Sequence, residues 1–374
     1  MGLRPARAPH RCALSRVWDI PVQDSTRVRD VRVAAEAACA LAGLDAHATA
    51  VAALVATELA TNLVKHAGGG RVLVNLAALS DTCAEDVPCV QIASLDHGPG
   101  IDNVPAAMRD GHTTVSSSLG AGLGTCRRIS SEFDLHSRPG QGTVAVARVT
   151  PARAPGGPHP REVRSRTGTR AGGITTSLAH AEQSGDAFTW VRSGPRVTLM
   201  LVDGLGHGDK AADASTAAVE ELRRCAELPP AEILRRLHTA LRATRGAAVG
   251  VAQLDEDTEK LTFAGVGNIG ARLRTDGAWQ PLISHPGIVG AHFPATVPLR
   301  ENTWTPDSLL VLHSDGLPSR WMPPGDPLLA AHDPAVVAAV VLRDAGSAAR
   351  PLRDDASVAV LAPEPRTDPH DRTP

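Results

Sequence analysis

Four acidic residues, widely separated in the sequence, each lie where a short apolar segment meets a turn. They are Asp186 in QSGDAF, Asp203 in LMLVDGLGHG, Asp315 in LVLHSDGL and Asp354 in RDDASVAVL. Short apolar segments bounded by glycine are typical of buried strands. A single Asp at a strand end is also a common turn residue, but four of them can meet at one end of a sheet. Carboxylate and carbonyl oxygens bind hard divalent cations, so the second half of the chain predicts a metal site.

The ordered segments SGD, VDGLGHG, SDGL and DDAS resemble those of the metal-dependent serine/threonine phosphatase (PPM) superfamily, in its stage II sporulation protein E branch. The resemblance implies a PPM-type α/β/β/α sandwich over residues 172–363. It also implies hydrolysis of phosphoserine with two Mn²⁺ or Mg²⁺ ions, which neutralise the phosphoryl oxygens and activate water. The stretches GVGNIG and HPGIVG resemble the small stress-module phosphatases, but both also suit simple turns and are assigned no chemistry.

The phosphatase resemblance implies a role for each acid. Asp203 would be the central catalytic carboxylate and would bridge the two ions, with the carbonyl of Gly204 as an additional ligand. The remaining metal ligands would be Asp315 and Asp354 on one ion and Asp186 on the other, which it would bind directly or through water. Asp355 remains an alternative to Asp354, because the family often has Asn beside its last ligand. His207 and His313 are near the site in sequence, although core or turn histidines are more usual than leaving-group acids.

The first half of the chain carries a different set of polar residues. A helix is predicted over 46–67, and Glu58 and Asn62 lie four residues apart on one face of it. Such a pair is also typical of a solvated polar stripe. The strand-like segment PCVQIASL delivers Asp96 to the turn DHGPG,. Backbone amides at a helix N-terminus favour phosphate, and three glycines precede or open the next helix: Gly120, Gly122 and Gly124.

In this order ELATN, DHGPG and GAGLG resemble the GHKL ATPases, and most closely the small serine kinases of bacterial partner-switching modules. The resemblance implies a GHKL (Bergerat) α/β sandwich over residues 14–150 that binds ATP with Mg²⁺. Glu58 would be the general base for an attacking serine, Asn62 the magnesium ligand, and Asp96 the acceptor for the adenine amino group. The glycines would lie close to the nucleotide, with Gly98 and Gly100 beside the base and Gly120, Gly122 and Gly124 in the lid over the phosphates.

The remaining sequence predicts how these halves are joined and where they work. Residues 151–171 are rich in Pro, Gly and Arg, which predicts an exposed linker, and residues 364–374 are predicted to form a disordered tail. The 38 basic and 40 acidic residues nearly cancel, so neither nucleic acid nor membrane is expected as a partner,. The six cysteines form no CxxC pair, and no run of about 18 apolar residues occurs,. These features predict a cytoplasmic protein.

The fold class predicted for the whole chain is α+β with two domains. The combination suggests a bifunctional regulator of a partner-switching cascade, with a serine kinase and a phosphoserine phosphatase acting on a STAS-domain or stressosome-like partner. A sigma factor or a downstream phosphatase is a further candidate partner. Two alternatives remain: a phosphatase whose ATP site is only a sensor, and a non-catalytic module that sequesters a sigma factor. Glu58 favours the kinase, because nucleotide binding alone requires no general base.

Overall fold

The computed structural model describes residues 16–79, 87–108, 122–151, 168–177, 183–346 and 354–365. Within these ranges the chain forms three five-stranded sheets, which we call the first, second and third sheets. Most of the predicted linker, the tail beyond residue 365 and Gly120 lie outside the described residues.

The first domain is built on the first sheet, with strand order β1-β2-β3-β5-β4. Two helices, α1 and α2, cover one face of this sheet and form an apolar core with it. Asp45 caps α2 by accepting a hydrogen bond from the Ala48 amide at 2.8 Å,. The predicted 46–67 helix is α-helical to Asn62 and continues as a wider π turn, Leu63–Ala67. The elements are β1 Val17–Val22, α1 Arg27–Ala42, α2 Ala46–Asn62, β2 Gly70–Leu79, β3 Val87–Leu95, α3 Val104–Ala107, α4 Gly122–Ile129, β4 Glu132–Arg138 and β5 Gly142–Val149.

The second domain contains two stacked sheets. The second sheet has the order β13-β10-β9-β8-β7, and the third has the order β12-β11-β14-β15-β6. The elements are β6 Thr169–Thr176, β7 Asp186–Ser193, β8 Arg196–Gly204, α5 Asp209–Cys225, α6 Pro230–Ala240, β9 Ala247–Asp255, β10 Lys260–Val266, β11 Gly270–Thr275, β12 Ala278–Ile283, β13 Arg300–Thr303, β14 Leu309–His313, α7 Pro334–Ala345 and β15 Ala356–Pro363. Strand β6 begins at Thr169, so the last three residues of the predicted linker belong to the third sheet.

Apolar side chains alternate along these strands and fill both faces of the two sheets. The inner faces pack together around residues such as Phe263 and Leu310. Helices α5 and α6 cover the outer face of the second sheet, and α7 covers the outer face of the third. This is the α/β/β/α sandwich that the sequence predicts, so both parts of the predicted fold class are confirmed.

Helix α7 lies between the two domains. One side of it packs on the third sheet, and the other packs on the face of the first sheet that α1 and α2 leave uncovered. Every residue from Pro334 to Arg343 is buried. A helix covered on both sides needs no polar face, which explains its almost uniformly apolar sequence PAVVAAVV,. The two domains therefore share one apolar core.

A buried ionic network joins the domains at the start of α7. Arg148 of β5 binds both carboxylate oxygens of Asp333 at 2.8 Å and also contacts Glu132 at 2.6 Å. Its Nε donates to the side chain of Gln91, whose amide donates in turn to the Gly173 carbonyl of β6. Breaking a buried pair of this kind leaves an uncompensated charge, so the network favours one fixed arrangement of the domains.

The continuous helical segment Ala46–Ala67, 22 residues long, has the length and average composition of a membrane span. Its apolar residues lie in the core of the first domain, among them Val55, Leu59 and Leu63. In this structure the segment is a core helix that also carries Glu58 and Asn62.

Candidate active sites

The acids of the second domain are placed by strand pairing. Asp186 opens β7 and Asp203 lies near the end of β8, directly opposite each other in the ladder. Asp315 lies two residues beyond β14, and Asp354 two residues before β15, which pairs with β14 in the third sheet. Each of the two stacked sheets thus contributes one pair of acids to the same site.

The electrostatics show that these acids act on one another. Burial raises the pKa of Asp203 to about 7, and the negative charges that add to this effect are those of Asp315, Asp354 and Asp355. Burial, followed by the charge of Asp203, raises the pKa of Asp186 well above its usual range. Burial and the charge of Asp354 raise the pKa of Asp315. Asp203 therefore interacts electrostatically with acids of both sheets. These are Asp186 in the second sheet and Asp315, Asp354 and Asp355 beside the strands of the third sheet.

Neutral polar side chains hold the acids in place. The Ser314 hydroxyl donates to Asp186 Oδ2 at 2.6 Å and accepts from the Ser357 amide at 3.0 Å. The Asn268 amide donates to Asp315 Oδ2 at 2.6 Å. Asn268 lies in GVGNIG, a stretch whose sequence also suits a simple turn and predicts no chemistry. The sequence signal was the motif itself, but only the structure shows that its Asn faces an acid.

Asp354 and Asp355 have different surroundings. The Asp355 carboxylate is buried and accepts a hydrogen bond from the Gly185 amide at 2.5 Å. Asp354 is exposed, and its Oδ1 accepts from the backbone amide of Asp355 at 2.9 Å. Asp355 thus supports the turn before β7, while Asp354 faces solvent and its neighbour Asp315. This difference supports Asp354 as the ligand, which remains a prediction.

Gly204 and His313 have structural requirements of their own. A Cβ on Gly204 would collide with the Ala211 carbonyl, so glycine is needed where α5 packs on the end of β8,. His313 lies between two partners: Trp321 Nε1 donates to its Nε2 at 3.0 Å, and its Nδ1 lies 2.9 Å from the Ser314 carbonyl. Both ring nitrogens are engaged and the residue is half-buried, which favours a structural role for His313. His207 is exposed.

The donor set fits hard divalent cations. In the described part of the chain, no three His, Cys, Asp or Glu side chains are close enough to hold an ion between them as they stand. All the candidate ligands are nevertheless oxygens, and mutual repulsion contributes to the raised pKa of Asp203, about 7. Cations placed among such carboxylates relieve that repulsion and favour their ionised forms. The residues therefore suit Mn²⁺ or Mg²⁺.

The candidate nucleotide site starts on α2. Glu58 and Asn62 are half-buried on one face of this helix, against the first turn of α4. A Cβ on Gly122 would lie 2.7 Å from Glu58 Oε2, so a larger residue at this position would displace the Glu58 carboxylate. Gly124 is buried in the same helix. The Asn62 amide nitrogen is buried and has no hydrogen-bond partner within the described residues. A buried donor without a hydrogen-bond partner costs free energy of folding. Its presence fits a site in which a bound ligand supplies the missing acceptor.

Asp96 is the second part of this site. It directly follows β3, and its Oδ1 accepts from the backbone amides of Gly98 at 2.8 Å and Thr143 at 3.1 Å. Burial raises the pKa of Asp96, and these two amides lower it. The two hydrogen bonds fix the orientation of the carboxylate, as recognition of an exocyclic amine requires.

The two glycines of this turn are required by the protein itself. A Cβ on Gly98 would lie 2.7 Å from Ala67 Cα, at the end of the π turn. Gly100 has a φ of 74°, and a Cβ there would collide with the Arg138 carbonyl,. The structure thus explains both glycines by packing, and their predicted contact with the adenine base remains a prediction.

Comparison with known proteins agrees with this division of the chain. Residues 193–363 match the family model for Stage II sporulation protein E, and residues 22–148 match that for the histidine kinase-like ATPase domain. The serine/threonine-protein kinase RsbT of Bacillus subtilis is 36% identical over 91 residues, which are 24% of this chain and 64% of RsbT. The phosphoserine phosphatase RsbX of the same organism is 24% identical over 135 residues, 36% of this chain and 67% of RsbX.

Among solved structures, RsbX in complex with magnesium is 18% identical, with a TM-score of 0.45, over 53% of this chain and 96% of that one. The aligned regions of the two Bacillus subtilis relatives span less than two thirds of the length of RsbT and about two thirds of the length of RsbX. Residues 22–148 therefore carry a histidine kinase-like ATPase domain, and residues 193–363 carry a stage II sporulation protein E domain.

Proposed function

We propose that this protein both adds phosphate to and removes phosphate from serine on a STAS-domain partner of a cytoplasmic partner-switching cascade. The observation that carries the proposal is that one chain holds two sets of candidate side chains, the acids around Asp203 and the pair Glu58 and Asn62. Joining the two activities in one protein raises the local concentration of each at a common partner.

In the phosphatase half, the side chains would hold ions and orient the substrate. Two Mn²⁺ or Mg²⁺ ions, when bound, supply positive charge for the phosphoryl oxygens and lower the pKa of an attacking water. Asp203 would be shared between the ions, Asp186 would lie on one side and Asp315 with Asp354 on the other. Ser314 and Asn268 would keep these carboxylates oriented. Water then attacks phosphorus, and the products are serine and inorganic phosphate.

In the kinase half, Glu58 would accept the proton of the serine hydroxyl as its oxygen attacks the γ-phosphorus and ADP leaves. Asn62 would hold the magnesium that accompanies ATP, and Asp96 would accept from the adenine amino group. The half-buried position of Glu58, one helical turn from Asn62, supports this assignment because the two side chains lie on one face of α2,.

The test uses the full-length protein with Asp203→Asn, which silences the phosphatase and lets labelled phosphate accumulate. This protein is incubated with labelled ATP and a STAS-domain protein encoded in the same genome. Label should appear on a partner serine with Asp203→Asn, but not with the double variant Asp203→Asn, Glu58→Gln. Equal labelling by both variants would show that Glu58 is not the base.

A second candidate function is favoured by the shared core around α7. In this second function, ATP binding in the first domain only regulates the phosphatase. The supporting observation is that α7, the helix that covers the third sheet, also covers the first. The label-transfer experiment, combined with phosphatase rates of the wild-type protein measured with and without ATP, separates the two functions. ATP binding without label transfer, together with a phosphatase rate that depends on ATP, would support regulation in place of the kinase.

A further inference from the structure

A series of buried hydroxyl groups leads away from Asp186, the acid that opens β7. The Ser314 hydroxyl donates to Asp186 Oδ2 at 2.6 Å. Ser357 of β15 holds Ser314 through its backbone, because its amide donates to the Ser314 hydroxyl at 3.0 Å and its carbonyl accepts from the Ser314 amide at 3.1 Å. Asp186 and both serines are buried. The orientation of the Asp186 carboxylate therefore depends on where the third sheet holds Ser357.

The next hydroxyl in this series belongs to Thr175 of β6. Thr175 and Ser357 stand directly opposite each other in the ladder between β6 and β15, so their side chains lie on the same face of the third sheet,. Their hydroxyl oxygens are 2.8 Å apart. Burial raises the pKa of Asp186, and a hydrogen bond from the Ser357 side chain is among the contacts that lower it. An ionised carboxylate can only accept, so Ser357 donates to Asp186 and accepts from Thr175.

Strand β6 lies at the edge of the third sheet, and side chains of the first domain hold it there. The Asn75 amide of β2 donates to the Thr175 carbonyl, and the Gln91 amide of β3 donates to the Gly173 carbonyl, both at 3.0 Å. Asn75 and Gln91 are themselves opposite each other in the first sheet. An edge strand presents backbone carbonyls that no neighbouring strand pairs, and these two amides satisfy two of them. Hydrogen bonds thus connect the first domain to a candidate metal ligand of the second.

We propose that Ser357 and Thr175 are positioning residues for the candidate metal ligand Asp186, and that Asn75 of the first domain holds Thr175 where this requires it. The inference rests on the proposed role of Asp186 in metal binding. Residues that orient a metal ligand raise the affinity of the site without touching the ion. The metal affinity of the phosphatase half consequently depends on the packing of the first domain against β6.

The test measures the Mn²⁺ affinity of the full-length protein without substrate, from the electron paramagnetic resonance signal of free Mn²⁺. Asp186→Asn shows which binding step depends on this acid. Thr175→Val keeps the shape of the side chain but removes the hydroxyl. We expect it to weaken that step about 3- to 10-fold, and Ser357→Ala to weaken it about 10- to 100-fold, the range typical of a group that contacts a ligand directly. Thr175→Ser keeps the hydroxyl and should bind Mn²⁺ as the wild type does.

Thr176→Val is the matched control. Thr176 is the next residue of β6, is also buried, and its hydroxyl also contacts the first domain. It donates to Asp19 Oδ2 at 2.6 Å and accepts from Arg71 Nη2 at 2.9 Å. Because side chains alternate along a strand, Thr176 lies on the face opposite Thr175, and its substitution should leave Mn²⁺ affinity unchanged. Thermal unfolding of the metal-free proteins shows which variants fold, and Thr175→Ala prevents the result from depending on one substitution.

Asn75→Ala tests the link to the first domain. It removes the amide that holds the Thr175 carbonyl, so Mn²⁺ binding should weaken at least about twofold in the otherwise wild-type protein,. In the Thr175→Val background the same substitution should have no further effect, because the hydroxyl through which it acts is already gone.

The outcomes distinguish this inference from the proposed function. Unchanged Mn²⁺ affinity in folded Thr175→Val and Thr175→Ala, or an equal loss in Thr176→Val, would overturn the positioning role of Thr175. Additive losses from Asn75→Ala and Thr175→Val would overturn the link to the first domain. A wild-type protein that binds no Mn²⁺, or an Asp186→Asn variant with unchanged affinity, would overturn the proposed metal site itself.

Discussion

The two candidate sites of this molecule are assembled in different ways. The acids around Asp203 come from strand ends in two stacked sheets, and the ladders fix their positions. The nucleotide site is assembled from one helix, the turn after β3 and the start of α4, with Glu58 and Asn62 on the helix and Asp96 in the turn. The first site is a set of like charges that repel one another. The second combines the Asn62 amide, which has no hydrogen-bond partner within the described residues, with two carboxylates, of which Asp96 is held by two backbone amides.

This difference determines how each site should respond to substitution. In the phosphatase site the acids act on Asp203, so the loss of one changes the charge that the others feel. In the nucleotide site the side chains have separate tasks, so base, metal ligand and adenine acceptor should be separable by experiment.

Asp203→Asn should have the largest effect on the phosphatase. It keeps the size of the side chain but removes the shared charge, so activity on a phosphoserine peptide should fall more than about 100-fold, since loss of groups that merely support a ligand already costs roughly 10- to 100-fold. Chelation should abolish wild-type activity, and Mn²⁺ or Mg²⁺ should restore it. The control is Asp257→Asn, an exposed acid in the turn after β9. Full activity in chelator would contradict the two-metal assignment.

Glu58→Gln should have the next largest effect, and it should be confined to transfer. Loss of a general base slows the chemical step by about 100-fold or more, while ATP should bind with unchanged affinity. Asn62→Ala should weaken both binding and transfer, because it acts on the magnesium and the phosphates. The measurements are ATP affinity by calorimetry and label transfer in the Asp203→Asn background. Parallel losses of binding and transfer in both variants would show that the two side chains act as one unit.

The sequence predicted the strands that carry acids because each combines an apolar segment with a terminal Asp. It did not predict α7. That helix has no polar stripe, its valines equally suit a strand, and both its faces are covered by sheets that are distant in sequence,. The contact between the domains was missed for the same reason, and the predicted linker suggested independent domains. Asn268 was missed because a glycine-rich turn reveals nothing about which acid its Asn will face.

Asn268→Ala should have an intermediate effect on the phosphatase. It removes the amide that donates to Asp315 Oδ2, so that carboxylate loses its orientation but remains present. Metal affinity, measured as the Mn²⁺ concentration for half-maximal activity, should weaken about 10- to 100-fold, with activity largely recovered at saturating metal. The control is Asn302→Ala, which removes a surface contact with Gln280 on the same domain. An unchanged metal requirement would show that Asp315 needs no such support.

Asp355→Asn should have the smallest effect, because its amide oxygen can still accept from the Gly185 amide and support the turn before β7. Asp354→Asn removes a charge that acts on both Asp203 and Asp315, whereas the charge of Asp355 acts on Asp203 but not on Asp315. We expect a change of a few-fold at most for Asp355→Asn and a loss approaching that of Asp203→Asn for Asp354→Asn, both measured as phosphatase rates across a Mn²⁺ titration. Thermal unfolding of each variant separates loss of metal binding from loss of the fold. If Asp355→Asn were the more damaging of the two while remaining folded, Asp355 would be the ligand and Asp354 the supporting residue.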